Sequence, residues 1–386
     1  MCLKDQARTK HIQMVHVGIL INNGSQFVNG SEQQPQFVIE LLRGLGLPFT
    51  LYTHAGVKTA SKHNGLLRTP DFYGTPMKLL TDSDLSHIST FLMICHITDD
   101  PKTEQIRQQL QHAKVVSFHC GNHAYFNAED ICFNKHDVVH LLYNTWFTES
   151  WVFPMHRFAS TYYEMLTGKP TKTMPYVWSP SLIDKFAVDN QLDIHCNPEL
   201  YKTGRKLTLC CMEPNLNITK TCIVPLLIMN RVYELRPELI EKCLVFCAQH
   251  LLQHKGFKDL LKFLKLHKDG LIEFYPRTPL PLALHQLKQR GMAPVIIGHQ
   301  IANSQNYVSL EALHLGYPLV HNSPPLETAG FYYEEWSMDT AVTKILKFQT
   351  DFAEKHSVYT GRADAVLHQC STANPSNLHA FRKLLK

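Results

Sequence analysis

The sequence predicts an α/β protein made of two doubly wound, parallel-sheet domains. Three observations carry this expectation: the length of the chain, short apolar runs that alternate with helical patterns, and a polar break near the middle. At 386 residues the chain exceeds the size at which a single hydrophobic core keeps growing, so two domains are expected. Apolar residues make up 44% and charged residues 18%, the balance of a packed globular chain rather than a disordered one.

The apolar runs are bounded by Pro, Gly or Asn, the pattern of buried parallel strands. The first half holds MVHVGILI (14–21), FLMICHI (91–97), KVVSFH (114–119) and VVHLLY (138–143). The second holds KLTLCCM (206–212), CLVFCA (243–248), LIEFY (271–275), PVIIG (294–298) and PLVHN (318–322). Helical periodicity fills the gaps at 34–45, 99–113, 158–167, 218–230, 257–265, 280–290 and 304–315, and again at 338–356 and 377–386. Strands alternating with helices imply stacked α/β units. The polar stretch DIHCNPELYKTGRK (193–206) divides them, which gives domains at 1–195 and 196–370 and a terminal helix at 371–386. Open sheets of this kind bind ligands at the carboxyl ends of their strands.

Composition narrows the function classes. The start, MCLKDQARTKHIQMVHVGIL, lacks the long apolar region of a secretion signal, and no run approaches the ~18 apolar residues of a membrane span. A cytoplasmic protein without a membrane span is expected. Eleven cysteines are scattered without a Cys-x-x-Cys pair, which reads as reduced buried thiols. His119, Cys120 and His123 match no common zinc spacing, so no metal site is expected. The formal charge of +5 suits a nucleotide diphosphate as well as it suits a polyanion. Nothing in the sequence sets the oligomeric state.

Four segments could carry chemistry. INNGSQFVNGSEQQPQF follows the first strand, and Asn23, Gly24, Ser25 and Gln26 allow tight turns whose amides could hold an anion or sugar, or form a plain surface loop. FHCGNHAYF (118–126) places Asn122 and His123 after a strand, where His123 could take a proton from an acceptor hydroxyl or serve a structural hydrogen bond. CMEPNLNITK (211–220) gathers Glu213, Asn215, Asn217 and Lys220 where a helix begins. Amides and Lys220 there would stabilise phosphate oxygens; helix capping is the other reading. GHQIANSQNYVSLEALHLGYPLVHN (298–322) carries His299, Gln300, Asn303, Ser304, Asn306 and Tyr307, then Glu311 inside an apolar helix. A buried carboxylate needs a partner: a ribose diol, a backbone amide, or a Lys or Arg.

These segments, NYVSLEALHLGYPLVHNS followed by AGFYYEEW, with MEPNLNITKTCIVPLLIMNRVYELRPELI, FHCGNHAYF and PYVWSPSLID, closely resemble an uncharacterised family of bacterial and viral glycosyltransferase-like proteins. The likeness runs in order over residues 15 to 340. It implies the GT-B architecture, two Rossmann-like domains facing across a cleft, with the acceptor on the first and a nucleotide-diphosphate sugar on the second. Retaining enzymes of that architecture carry two glutamates eight positions apart. By this likeness Glu311 matches the second, which contacts the donor ribose, and Asn303 stands where the first would be, which leaves the stereochemical outcome open. Lys220 is the nearest counterpart of the basic residue that steadies the diphosphate, with Lys255 a second choice. The architecture implies metal-independent transfer with no cofactor. His123 and Asn122 are then the catalytic candidates, and Trp178 joins residues 23–26 on the acceptor or sugar side. The acceptor is a glycan or a hydroxylated or hydroxymethylated DNA base, which Tyr125, Phe126, Trp146 or Trp151 could stack; a sugar platform or, most commonly, an ordinary core aromatic gives the same sequence. A non-catalytic nucleotide-sugar or nucleic-acid binding protein of the same fold is the alternative.

Overall fold

The structure is a computed structural model and describes residues 15–21, 30–54, 61–63, 66–68, 71–72, 74–94, 103–133, 146–304, 306–348 and 351–386. The expected strand VVHLLY and the loop residues Asn23, Gly24, Ser25 and Gln26 lie outside them.

The first domain contains strands β1 (Val17–Leu20), β2 (Phe49–Thr53), β3 (Ser61–His63), β4 (Leu66–Arg68), β5 (Asp71–Phe72), β6 (Thr75–Leu79), β7 (Thr90–Met93), β8 (Lys114–His119), β9 (Glu149–Val152) and β10 (Thr171–Thr173). Its helices are α1 (Gly30–Gly44), α2 (Thr103–Gln109), α3 (His123–Phe133), α4 (Ser160–Thr167) and α5 (Ser181–Asp189). The sheet runs β10-β9-β8-β7-β1-β2-β6-β5. It is parallel except for the β5–β6 edge, and β3 and β4 pair apart from it. Gly18 in β1 is required because a Cβ there would meet the Phe91 ring of β7 at 2.6 Å.

The second domain contains β11 (Leu207–Cys211), β12 (Ile240–Val245), β13 (Ile272–Phe274), β14 (Pro294–Ile297), β15 (Leu319–His321) and β16 (Phe331–Tyr332). With them are α6 (Ile223–Leu235), α7 (Lys255–Phe263), α8 (Lys265–Lys268), α9 (Leu280–Gln289), α10 (Tyr307–His314) and α11 (Met338–Phe348), followed by α12 (His356–Cys370) and α13 (Pro375–Leu385). The sheet is parallel in the order β13-β12-β11-β14-β15-β16. The strand order reverses between β11 and β14, and a crevice opens at such a reversal, beyond the strands' carboxyl ends. Two parallel-sheet domains of the GT-B kind are thus observed.

Several expected elements shift. The helix read at 218–230 begins only at Ile223, because Asn215 adopts a left-handed φ of 55° and the chain turns through 213–222. The helix read at 304–315 begins at Tyr307, capped by the Asn306 side chain on the Val308 N–H. The long helix read at 338–356 ends as α11 at Phe348, and α12 is a separate element. Strands β2, β9 and β10 were not expected. Each is only three to five residues long and contains polar residues, so none forms an apolar run.

The chain crosses between the domains twice. At the outward crossing Trp178 donates its N–H to the Cys370 carbonyl of the return crossing at 2.8 Å. Glu40 of α1 accepts from Ser181 Oγ at 2.5 Å on one crossing and from Thr372 Oγ1 at 2.9 Å on the other. Beyond them α13 lies on the first domain. Phe381 packs edge-on to Trp151 with centroids 5.7 Å apart, and Lys114 Nζ donates to the Leu384 carbonyl at 2.9 Å.

Candidate functional site

The two loops at the strand-order reversal of the second sheet are fastened to each other. Residues after β11 and after β14 join where the Ile301 N–H donates to the Thr219 carbonyl at 3.0 Å and Lys220 pairs with Gln300 as an isolated bridge. The turn after β11 is held by Asn215. Its side chain accepts from the Cys222 N–H at 2.7 Å and donates to the Glu213 carbonyl at 2.8 Å. Asn217 accepts from both the N–H and the hydroxyl of Thr219. Both asparagines therefore shape the loop that presents Lys220.

Glu213 is buried at the end of β11. Its Oε1 accepts from Gln300 Nε2 at 2.7 Å, and a Cβ on Gly298 would stand 3.3 Å from that oxygen, so the glycine leaves room for the carboxyl. Burial pushes the Glu213 carboxyl up to about 7, against the opposing pull of the Lys220 charge and the Gln300 bond. Burial also lowers the Lys220 ammonium, which the Glu213 charge partly restores. The two groups hold each other's charge in a poorly solvated place.

Several ties from the first domain reach these loops and α10. Asn122, fully buried, caps α3 by accepting from the Tyr125 N–H and donates across the interface to the Ala302 carbonyl at 3.0 Å. Ala302 has a φ of 50°, a strained conformation for a residue with a side chain. Next to it, His156 Nε2 meets Asn303 Oδ1 at 3.2 Å, and Asn303 Nδ2 donates to Gln300 Oε1 at 3.0 Å. Glu129 accepts from the Ile218 N–H at 3.2 Å. On α10, Tyr307 donates to Gln34 Oε1 and stacks on Tyr176.

Glu311 faces the same interface. Leu310, Ala312 and Leu313 around it are at most 1% exposed, and burial pushes its carboxyl up to about 7. Neither a backbone amide nor a Lys or Arg pairs with it; its side-chain partner among the described residues is Gln33 of α1, whose Nε2 donates at a long 3.4 Å. A carboxyl so buried, with one weak donor, carries a desolvation cost that a second set of donors would offset.

The remaining expected residues fall elsewhere. His299 stacks on Tyr333, and its Nδ1 lies 2.9 Å from that hydroxyl. Because the Tyr333 hydroxyl donates to the Gly298 carbonyl, Nδ1 carries the hydrogen and Nε2 is an acceptor; burial lowers this imidazole to about 4. Ser304 contributes its carbonyl to the Ser323 hydroxyl. His123 begins α3, donates its N–H to the Tyr163 hydroxyl at 3.1 Å and packs edge-on to His119. Trp178 is not on a sugar-facing surface: it is 3% exposed and packed against His314 at the crossing. Trp151 cannot stack a base either, being fully buried between Phe118 and Phe381.

Sequence reasoning missed His156, Glu129, Gln33 and Gln34. Gln33, Gln34 and Gln36 are each 7% exposed or less, and three polar side chains at the start of an apolar helix were the available signal. Three buried polar atoms at or near the interface, Glu213 Oε2, His156 Nδ1 and His299 Nε2, have no hydrogen-bond partner among the described residues. Such atoms are uncommon unless something else satisfies them.

The profile of the family described as a protein of unknown function (DUF2827) matches residues 15–385. The chain belongs to that family. Comparison with curated proteins finds none that matches. Among solved structures, the chain is similar to an alpha-glucosyltransferase in complex with UDP, at 10% identity and a TM-score of 0.57, covering 96% of this chain and 100% of that one. An alpha-glucosyltransferase in complex with UDP and a 13-mer DNA gives the same identity and TM-score over 96% and 99%. A sucrose-phosphate synthase from Thermosynechococcus elongatus matches at 9% identity and a TM-score of 0.55 over 96% and 99%. At these identities the family member shares their fold. No helix among the described residues is long and apolar enough to cross a membrane.

Proposed function

We propose that the protein is a glycosyltransferase, moving a sugar from a nucleotide-diphosphate sugar to an acceptor hydroxyl. The observation that carries the reading is Glu311: a buried carboxyl at the domain interface whose side-chain donor among the described residues is Gln33, at 3.4 Å. A ribose diol would supply two short donors to it, displacing Gln33 and drawing the carboxyl back to its charged form. Lys220 and the backbone amides of the 215–222 turn would then take the diphosphate charge as it grows on the leaving group, so transfer would need no metal. Glu213 would keep Lys220 charged, and His299, Gln300, Asn303 and Ser304 would line the loop over the sugar. His123 is the proposed base for the acceptor hydroxyl, with residues 23–26 on the acceptor side.

The acceptor is proposed as a glycan hydroxyl or a hydroxymethylated base in DNA. The second option draws on the alpha-glucosyltransferase whose structure contains DNA, and the work would be done in the cytoplasm. The test is release of nucleotide diphosphate from a panel of nucleotide sugars, with glycans or hydroxymethylated DNA as acceptor. Transfer in the wild type that falls by about a hundredfold in His123→Ala, with donor affinity unchanged, is the expected result. Nucleotide binding without turnover on any acceptor would instead make it a non-catalytic nucleotide-sugar binding protein, a reading that Asn303 in place of a glutamate keeps in view.

A further inference from the structure

We propose that His156 is a positioning residue for the donor diphosphate, because it heads a one-way chain of hydrogen bonds that crosses the interface and ends on the carboxyl beside Lys220. The inference rests on reading Lys220 as the cation that meets the diphosphate.

The direction of the chain follows from its last link. Glu213 Oε1 accepts, so Gln300 Nε2 must donate to it at 2.7 Å. That orientation turns Gln300 Oε1 toward Asn303 Nδ2 at 3.0 Å, which makes Asn303 Oδ1 the acceptor for His156 Nε2 at 3.2 Å. His156 therefore carries its hydrogen on Nε2, and its buried Nδ1 is an acceptor. Every link donates toward Glu213. Bonds in such a chain polarise one another, and the poorly solvated setting strengthens them.

The chain also gives a reason for Asn303. An amide donates on one side and accepts on the other, whereas a glutamate could only accept and would leave Gln300 Oε1 without its donor. Asn303 is here a link between the domains, matched to His156. Without the His156 hydrogen, Asn303 Oδ1 loses this donor and the orientation of the Gln300 amide is less fixed, so Glu213 holds its charge less well and Lys220 loses part of what keeps it an ammonium. The first domain thereby tunes a cation in the second, and by reciprocity a bound diphosphate draws the domains together.

The probe is UDP, titrated calorimetrically into the wild type and four variants. His156→Leu and Asn303→Glu are expected to weaken UDP about tenfold, the loss of one hydrogen bond that serves a charged group. His156→Gln places an amide N–H near the position of Nε2 and is expected to stay within about threefold of the wild type. Lys220→Met separates the two ideas. If UDP binds it as well as the wild type, the reading of Lys220 is wrong and the proposal goes with it. If Lys220→Met weakens UDP but His156→Leu does not, or Asn303→Glu is neutral, only the chain is refuted. A nucleotide-free measurement guards against loss of folding. The melting temperatures of His156→Leu, Glu213→Gln and the double variant are expected to fall by less than the sum of the single losses, and strict additivity would overturn the coupling.

Discussion

The interface between the domains has two ends built from different chemistry. At the crossings, Glu40 accepts two hydroxyls at 2.5 and 2.9 Å and the backbones of residues 178 and 370 are joined. Glu40 accepts a third bond from Gln36 Nε2 at 3.2 Å. At the other end Glu311 has one long bond, and Glu213, His156 and His299 each keep a buried atom without a partner among the described residues. At the first end the carboxylate is well supplied with donors. The second is incomplete in the way a ligand would finish.

Glu311→Ala attacks the incomplete end and is expected to have the largest effect. Two ribose hydroxyls on a charged acceptor correspond to a loss of about a hundredfold in UDP affinity, with little loss of stability because only the Gln33 bond disappears. Calorimetry checks the first part and thermal unfolding the second. Equal UDP affinity would take Glu311 out of the site.

Glu40→Ala attacks the first end and should show the reverse pattern. Losing three hydrogen bonds to a carboxylate is expected to lower the melting temperature by about 5 °C. UDP affinity should stay within about twofold, since the partners of Glu40, namely Gln36, Ser181 and Thr372, are none of the proposed donor residues. A large drop in affinity with unchanged stability would mean that the crossing takes part in binding, and the contrast between the ends would dissolve.

How much of this could be read from the sequence also differs between the ends. Glu311 and Lys220 were visible because a charge in an apolar helix and a lysine after a strand are anomalies that local pattern exposes. The buried strands of the second sheet were visible for the same reason, each an apolar run with clear stops. His156 was not, because it sits in a short 3-10 turn, PMHRFA (154–159), that has no periodicity to register, and its importance comes from Asn303, 147 residues away. Glu40 was not singled out, because nothing local distinguishes it from any other charge on a helix. Its role depends on two crossings, at residues 181 and 372, that only the fold brings together. Trp178 was misread because type and position in sequence say nothing about which crossing will bury a ring, and Trp151 is the core aromatic that the sequence equally allowed.

The smallest expected effect concerns how stability depends on pH, and it tests whether the incomplete end is truly desolvated. Burial raises Glu311 and Glu213 from 4.5 to about 7, so their contribution to stability is fully present below pH 4.5 and is lost as pH rises through 7. Burial lowers His156, His299 and His321 from 6.5 to about 4, so theirs is fully present above pH 6.5 and is lost as pH falls through 4. Between about pH 5 and 7 the two sets oppose each other, and the wild-type melting temperature should change little. Glu311→Gln removes one carboxyl from the balance. The variant's melting temperature, relative to wild type, should therefore climb with pH across that window and level off above it, a change of a few degrees readable by differential scanning fluorimetry. A constant offset at every pH would mean that Glu311 ionises at its ordinary pH and is already solvated, and the incomplete end would then be an open surface with no need of a ligand.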